Sequence, residues 1–299
     1  MIEKIEFPEG ITWEQRYVTG GDFLGETFSL ESTSYIYANV RNSIIDVKFD
    51  ASNVMNMANM FNNCTSLTSI SQMDTSSVTN MSYMFYGCTK LVAIPQLDTS
   101  NVTNMQQMFY RCSALTSIPQ LDTSNVTNMR NMFTECSNLT SIPQLDTSNV
   151  ADMQSVFTSC YKLTTLPDFN SVKAVNFGSG SSNSWLYNSS AIQKIGIVDC
   201  DSVTTIGYFF GERSRTYLTE FGGCRNLGKA STVSGTNGNY FMSYAPNLTY
   251  ESVMNVINGL YDRATAGLSV LTLKLHANHL AMLSDDDIAI ATNKGWTIV

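Results

Sequence analysis

Charge is scarce in this chain: Asp, Glu, Lys and Arg together make only 14% of its 299 residues, and no run of Lys or Arg occurs. With 17 basic against 25 acidic residues and a net charge of −8, the sequence offers no electrostatic footprint for a phosphate backbone, so no nucleic acid is expected among its partners. Histidine is rarer still, limited to His276 and His279, whose three-residue spacing is a weak metal hint and more often a surface accident. No phosphate-binding loop, dinucleotide glycine motif, nucleophile elbow or zincin helix is present, so neither an enzyme nor a cofactor is expected. Apolar stretches stay well short of the roughly 18 to 20 residues that a membrane span needs. The opening Met1-Ile-Glu-Lys-Ile-Glu-Phe-Pro-Glu-Gly10 lacks a basic region followed by an apolar one, so no signal peptide is expected there. What the chain does hold is 43% hydrophobic and 11% aromatic residues, enough to bury a core, and an excess of 35 Ser, 31 Thr and 27 Asn.

Seven cysteines raise the question of disulfides, but their spacing says something else first. Cys64, Cys88, Cys112, Cys136 and Cys160 recur every 24 residues, as do columns running from Asp50 to Asp146, Val54 to Val150, Met57 to Met153, Phe61 to Phe157 and Leu67 to Leu163. A fixed period of this size is the signature of stacked repeats. In the unit 121–144 the apolar positions are Leu121, Val126, Met129, Met132, Phe133, Cys136, Leu139 and Ile142. Their spacing near three fits neither strict alternation nor a helical period, and suits a coil that turns residues inward all the way round. Residues 126–129 and 139–142 read as short strands, and 132–136 is long enough for one helical turn. Pro95, Pro119, Pro143 and Pro167 end each Leu-Thr-Ser-Ile strand.

The expected organisation is an N-terminal cap over 1–48, regular repeats over 49–168, degenerate repeats with insertions over 169–248, and an α/β C-terminal cap over 249–299. In the degenerate part, Ile192, Ile195, Val198 and Asp199 match the phase of Leu67, Ile70, Met73 and Asp74, and the pattern continues through Val203, Ile206, Phe209 and Phe210. An insertion over 211–220 then precedes Phe221, Cys224 and Leu227, read as matching Phe61, Cys64 and Leu67; Cys200 alone is off the column. Met242, Ala245 and Leu248 resemble a last half-unit. With strands about 4.8 Å apart, nine or ten coils make a rod on the order of 45 Å long. Trp13, Tyr17, Tyr35, Tyr37 and a strand over 45–49 belong to the first cap. In the last, a helix over 250–264, a strand over 271–275, and a helix opened by a Ser284–Asp287 capping box and ended by Gly295 are expected.

The unit Asp-Thr-Ser-Asn-Val-Thr-Asn-Met-x-x-Met-Phe-x-x-Cys-x-x-Leu-Thr-Ser-Ile resembles the repeat of BspA-type leucine-rich-repeat surface proteins, strongly over 49–168 and weakly over 169–248. The closing Ile288-Ala-Ile-Ala-Thr-Asn-Lys-Gly-Trp296 is similar to tails attached to such repeats in gut bacteria and their phages. The resemblance implies a leucine-rich-repeat-like solenoid, right-handed and built mainly of short β-strands with single helical turns. It also implies adhesion or recognition without catalysis, binding a protein or glycan at a cell surface. The alternative is a structural or receptor-binding component of a phage tail or virion, with other tail proteins as partners. Either location is extracellular.

The repeated columns are first of all scaffold. Each phased cysteine lies three residues after Phe and three before Leu, in the inward set, so buried inert thiols are expected, consistent with folding in a reducing compartment. Carboxylates stacked about 5 Å apart repel by about 0.8 kcal/mol per pair even at water's dielectric. Each Asp is therefore read as capping its own Asp-Thr-Ser-Asn turn, with calcium disfavoured because the glycine-rich calcium repeat is absent. The Asn56, Asn80, Asn104 and Asn128 column is read as a side-chain ladder. Functional information belongs where the repeat varies, among Ser82, Tyr83, Tyr86, Tyr110, Arg111, Arg130, Glu135, Tyr161 and Lys162. Of these, Tyr83, Tyr86, Tyr110, Arg111, Arg130 and Tyr161 are the candidate ligand-binding residues, since Tyr and Arg are enriched at hot spots; no metal site is assigned. The opposing candidate is the flat face of Thr68, Thr116, Thr140 and Thr164 with Gln72, Gln96, Gln120 and Gln144. The 211–220 insertion and the loop over 177–184 are further candidates.

Overall fold

The computed structural model describes residues 54–170, 173, 185–202, 217–227, 229 and 245–299, together with the backbone of 5–6, 47–48 and 240–241. Within 54–170 the 24-residue period is a physical stack. On one side of each coil, main-chain N–H groups point to the coil ahead: Met57 donates to Asn80, Asn59 to Ser82, Phe61 to Met84 and Asn63 to Tyr86, at 2.6 to 2.9 Å. On the other side they point back, Val92 to Thr68 (3.3 Å), Thr116 to Val92 (3.2 Å), Thr140 to Thr116 (3.2 Å) and Thr164 to Thr140 (3.1 Å). Backbone polarity is satisfied between coils, so side chains can all face one axis.

The expected helical turn is not formed. Along 57–64, every second N–H is exported to the next coil, and those between bond three residues back: Met60 to Met57, Asn62 to Asn59, Cys64 to Phe61. Two residues per coil are left-handed to allow this: Asn59, Tyr83, Gln107, Asn131 and Ser155 in one column, and Asn63, Gly87, Arg111, Glu135 and Ser159 four positions on. A right-handed helix cannot contain them, and the segment is a chain of overlapping tight turns. The strands expected at 126–129 and 139–142 are likewise reduced, with isolated parallel bridges Asn56↔Asn80, Asn80↔Asn104, Asn104↔Asn128 and Asn128↔Asp152. The bends come too often for longer strands.

Inside, the Val, Met, Phe, Cys and Leu columns are buried from Val54 to Leu163. Phe61, Phe85, Phe109, Phe133 and Phe157 stack with centroids 5.4 to 5.7 Å apart and planes within 9° of parallel. Such pairs add about 0.5–1.5 kcal/mol each to their area burial. Trp185 closes the stack, edge-on to both Phe157 at 5.4 Å and Phe169 at 4.9 Å.

The capping role of the aspartates holds. Asp74, Asp98 and Asp122 each accept from the N–H and hydroxyl of the Ser two residues on, at 3.0 and 2.7 Å. The Asn column behaves the same way and is not a side-chain ladder: Asn56, Asn80, Asn104 and Asn128 accept from the N–H of Ala58, Ser82, Gln106 and Arg130 in their own coils. Side-chain ladders run elsewhere. Asn101, Asn125 and Asn149 donate back to the carbonyls of Ser76, Ser100 and Ser124 at 2.7 to 2.8 Å, and Gln72, Gln96 and Gln120 donate forward to Gln96, Gln120 and Gln144 at 2.5 to 2.6 Å.

Beyond 164 the coils lengthen. β3 (Thr165–Leu166), β4 (Lys194–Ile195) and β6 (Glu220–Phe221) form a parallel sheet, with β5 (Val198–Asp199) parallel to β7 (Cys224–Arg225). Leu166 pairs with Ile195 and Ile195 with Phe221, so Phe221 lies in the Leu-Thr-Ser-Ile strand, and Cys224 stands opposite Val198. The expected match of Phe221 and Cys224 to Phe61 and Cys64 is therefore wrong, and Cys224 joins Cys200 off the cysteine column. The spacing was right and the phase was not, because Leu218-Thr-Glu-Phe221 is itself the strand. It follows that Tyr217 to Glu220 are coil and not insertion: Leu218 is fully buried, and Thr219 continues the ladder from Gln193 to Thr249. Residues 177–184, 203–216 and Met242 lie outside the described residues. So does most of 1–48, where β1 (Ile5–Glu6) pairs in parallel with β2 (Val47–Lys48) inside the expected 45–49 strand.

At the other end, α1 (Tyr250–Asn258) starts where the last coil's strand would continue, capped by Thr249. It is shorter than expected: Gly259 ends it, and Leu260 leaves to bridge Leu227. β9 (Leu271–Lys274) pairs with β8 (Tyr240–Phe241) and β10 (Trp296–Ile298), while α2 (Ala277–Leu280) and α3 (Asp285–Asn293) fill the connection. The Ser284–Asp287 capping box forms. Lys294 is the C-cap, and Gly295, at φ 80°, follows it. His279 is fully buried and is no surface accident. Among the described residues, no helix is long and apolar enough to cross a membrane.

Candidate recognition rim

The turns that carry the left-handed residues form one rim of the stack, and the sequence varies there. Because successive coils are in register, side chains one period apart meet. Tyr86 and Tyr110 stack with centroids 4.8 Å apart and planes 3° from parallel. Tyr83 lies 6.0 Å from Tyr86, tilted by 38°. The Arg111 guanidinium lies over the Tyr110 ring at 5.3 Å and pairs with Glu135 of the next coil at 2.9 Å. Tyr110 donates its hydroxyl to the same carboxylate at 3.2 Å.

Four of the six candidates, Tyr83, Tyr86, Tyr110 and Arg111, thus form one cluster with Glu135 as its anchor. Burial, and then the Glu135 charge, push the Tyr110 hydroxyl pKa up, and the Glu135 hydrogen bond raises that of Arg111. Both groups keep their protons at neutral pH. The ion pair is half exposed, and pairs of that kind contribute about 0–1 kcal/mol. Its main effect is to fix the Arg111 side chain over the aromatic stack.

Arg130 is not in the cluster; it faces Asp152 at 3.9 Å in an exposed, loose pair. Tyr161 is a separate exposed ring, 52% accessible. Ser82 is buried. Sequence reasoning missed Gln106, whose amide donates to the Tyr83 hydroxyl at 3.0 Å and accepts from Asn128 at 3.2 Å. Its offset of 23 from Tyr83 was the available signal, since the rim hydrogen bonds use that offset too. On the opposite face, Thr68, Thr116 and Thr140 are exposed, but the Gln side chains beside them are used between coils, as described above. Among the described residues, no group of three or more His, Cys, Asp or Glu could hold a metal ion.

These features define a repeat protein of stacked 24-residue coils with an aromatic and charged rim. The chain belongs to the family described as Mycoplasma protein of unknown function, DUF285, whose matches cover residues 29–118, 86–184 and 113–216. Comparison with curated protein sequences gave no match. Among solved structures, a T. pallidum leucine-rich repeat protein is similar at 20% identity and a TM-score of 0.32, over 59% of this chain and 68% of that one. The repeat architecture rests on the 24-residue register and not on that likeness.

Proposed function

We propose that this chain is a non-enzymatic recognition protein of the BspA-type leucine-rich-repeat kind. In this reading it is a right-handed solenoid rod, closed by residues 1–48 and 249–299, that binds a protein or glycan at a cell surface from an extracellular position. The observation that carries the reading is the Tyr83, Tyr86, Tyr110 and Arg111 cluster. Large, partly exposed aromatics and an Arg held in fixed geometry by neighbouring coils lose little side-chain entropy on binding. The two histidines serve as a helix cap and a buried core residue.

The test is a panel of immobilised surface glycans and cell-surface proteins, probed with the full chain and with a variant carrying Ser at 83, 86, 110 and 111. A ligand whose affinity drops at least ten-fold in the variant supports the reading. A ligand bound equally by both chains removes the rim as its site.

A further inference from the structure

The tyrosine stack on the rim is closed at one end and open at the other. Tyr110 is covered from the side of the following coil, where the Arg111 guanidinium lies over its ring and pairs with Glu135. Tyr83 leans the same way, its hydroxyl accepting from Gln106 of the following coil at 3.0 Å. In the preceding coil the tyrosine column holds Asn62. A carboxamide stops short of where a phenol ring ends, so the outer part of the half-buried Tyr86 ring overhangs that coil. The overhang is one coil high, about 4.8 Å, and the Tyr86 and Tyr110 centroids are themselves 4.8 Å apart. One more flat ring therefore fits against Tyr86 at the spacing the stack already uses.

The floor of this step is polar and uncharged. Asn62 donates to Asn59 at 2.7 Å and accepts from Asn63 at 2.8 Å. The Asn63 carbonyl oxygen rests against Gly87, where a Cβ would collide with it, so no side chain from that position enters the step. The Asn62 and Asn63 amides each keep one N–H for a further acceptor, and the Tyr86 hydroxyl adds both a donor and an acceptor. From residue 54 to residue 89 the only Asp, Glu, Lys or Arg is Asp74, whose carboxylate is engaged in its own turn with Ser76. A charged ligand finds no counter-charge here, and an apolar side chain would leave the amides unpaired. A pyranose ring meets both demands: its C–H face packs on an aromatic ring, and its hydroxyl edge donates and accepts.

We propose that the open end of the stack is a subsite for one neutral pyranose residue of a glycan, with Tyr86 against the C–H face of the sugar and the Asn62 and Asn63 amides on its hydroxyls. This rests on the reading of the rim as a recognition surface, and it names which of the two ligand classes this end takes. The Arg111–Glu135 pair closes the far end, so sugar is taken at one end only.

The experiment is saturation-transfer difference NMR of the full chain with the methyl glycosides of glucose, galactose, mannose and N-acetylglucosamine, and with methyl glucuronide as the charged counterpart. At least one neutral glycoside is expected to show saturation centred on its ring C–H protons, and the glucuronide to bind no more tightly than it does. Tyr86→Ser should raise the Kd of that glycoside by about ten-fold or more. So should Asn62→Leu, which keeps the ring and puts a branched apolar side chain in place of the amide. Tyr217→Ser removes a more exposed ring, 63% accessible and outside the rim cluster, and should change nothing. Urea unfolding checks that each variant is folded, and Asn62→Leu decides if Tyr86→Ser is not. No saturation of any neutral glycoside, tighter binding of the glucuronide, or an affinity unchanged in Asn62→Leu overturns the subsite. A protein ligand lost in the variant with Ser at 83, 86, 110 and 111 would still leave the rim reading standing, so the two fail separately.

Discussion

Ser189 donates its hydroxyl to the main-chain carbonyl of Phe157, taking the place that a thiol takes in the coils before it, where Cys160 donates to Phe133. The cysteine column is thus a column of small buried donors, and sulfur chemistry is incidental to it. Cys112→Ser should therefore cost within about 1 kcal/mol, the size of one net hydrogen bond, while Cys112→Ala, which removes the donor and leaves a small void, should cost about 1–2 kcal/mol more. Urea unfolding of the two variants measures the difference; equal losses would mean that the bond to Phe85 contributes nothing.

The same burial fixes reactivity. Burial pushes the Cys160 thiol pKa up to about 12, and burial followed by the neighbouring thiols raises Cys112 and Cys136 well above the ordinary value. At pH 8 the folded chain should leave all five phased cysteines unlabelled by iodoacetamide over an hour, and urea should expose them. Mass spectrometry of the labelled peptides checks this, and rapid native labelling at Cys112 would contradict it.

Left-handed rim positions set a different constraint. Gln107 sits at φ 53°. Gln107→Val should destabilise by about 1–2 kcal/mol, since a β-branched residue resists this region, while Gln107→Asn should be neutral or slightly stabilising. Chemical denaturation of both variants measures the contrast.

His279 supplies a pH dependence. Burial and the nearby His276 lower its pKa below 6.5, so the folded state favours the neutral ring. The unfolded chain takes up its proton first, so the stabilisation is complete above about pH 6.5 and falls as pH drops through and below that value. His279→Leu should flatten this limb in thermal melts between pH 7 and 5. The carboxylates act lower. Bonding to Ser76, Ser124 and Ser148 depresses the pKa of Asp74, Asp122 and Asp146, whose contribution is present above about pH 4 and is lost as pH falls through the folded value. A limb near pH 6 that survives in His279→Leu would assign it to another group.

Much of the fold could be read from period alone. Inward columns, Asp caps and the Ser284 capping box need only spacing and side-chain chemistry, and each appears as the residues suggested. Local conformation could not be read in the same way. Met132 to Cys136 has the length of a helical turn, but inter-coil bonds take alternate N–H groups and force left-handed Asn131 and Glu135. Nothing in a single unit reveals that competition. The phase error at Cys224 has a similar cause, because Phe and Cys three apart occur in the rim turn and again, by drift, in Phe221-Gly-Gly-Cys224. At the rim, residue types drew attention to variable positions, while the Tyr86–Tyr110 stack and the Arg111–Glu135 pair depend on which coil edges face each other.

The most direct test of the account sets the rim against the flat face. A ligand bound by the full chain is titrated against Tyr86→Ser/Tyr110→Ser on the rim and Thr116→Arg/Thr140→Arg on the opposing face, with urea unfolding confirming that both variants are folded. The account predicts at least a ten-fold rise in Kd for the rim variant and less than two-fold for the face variant. The reverse pattern would contradict it.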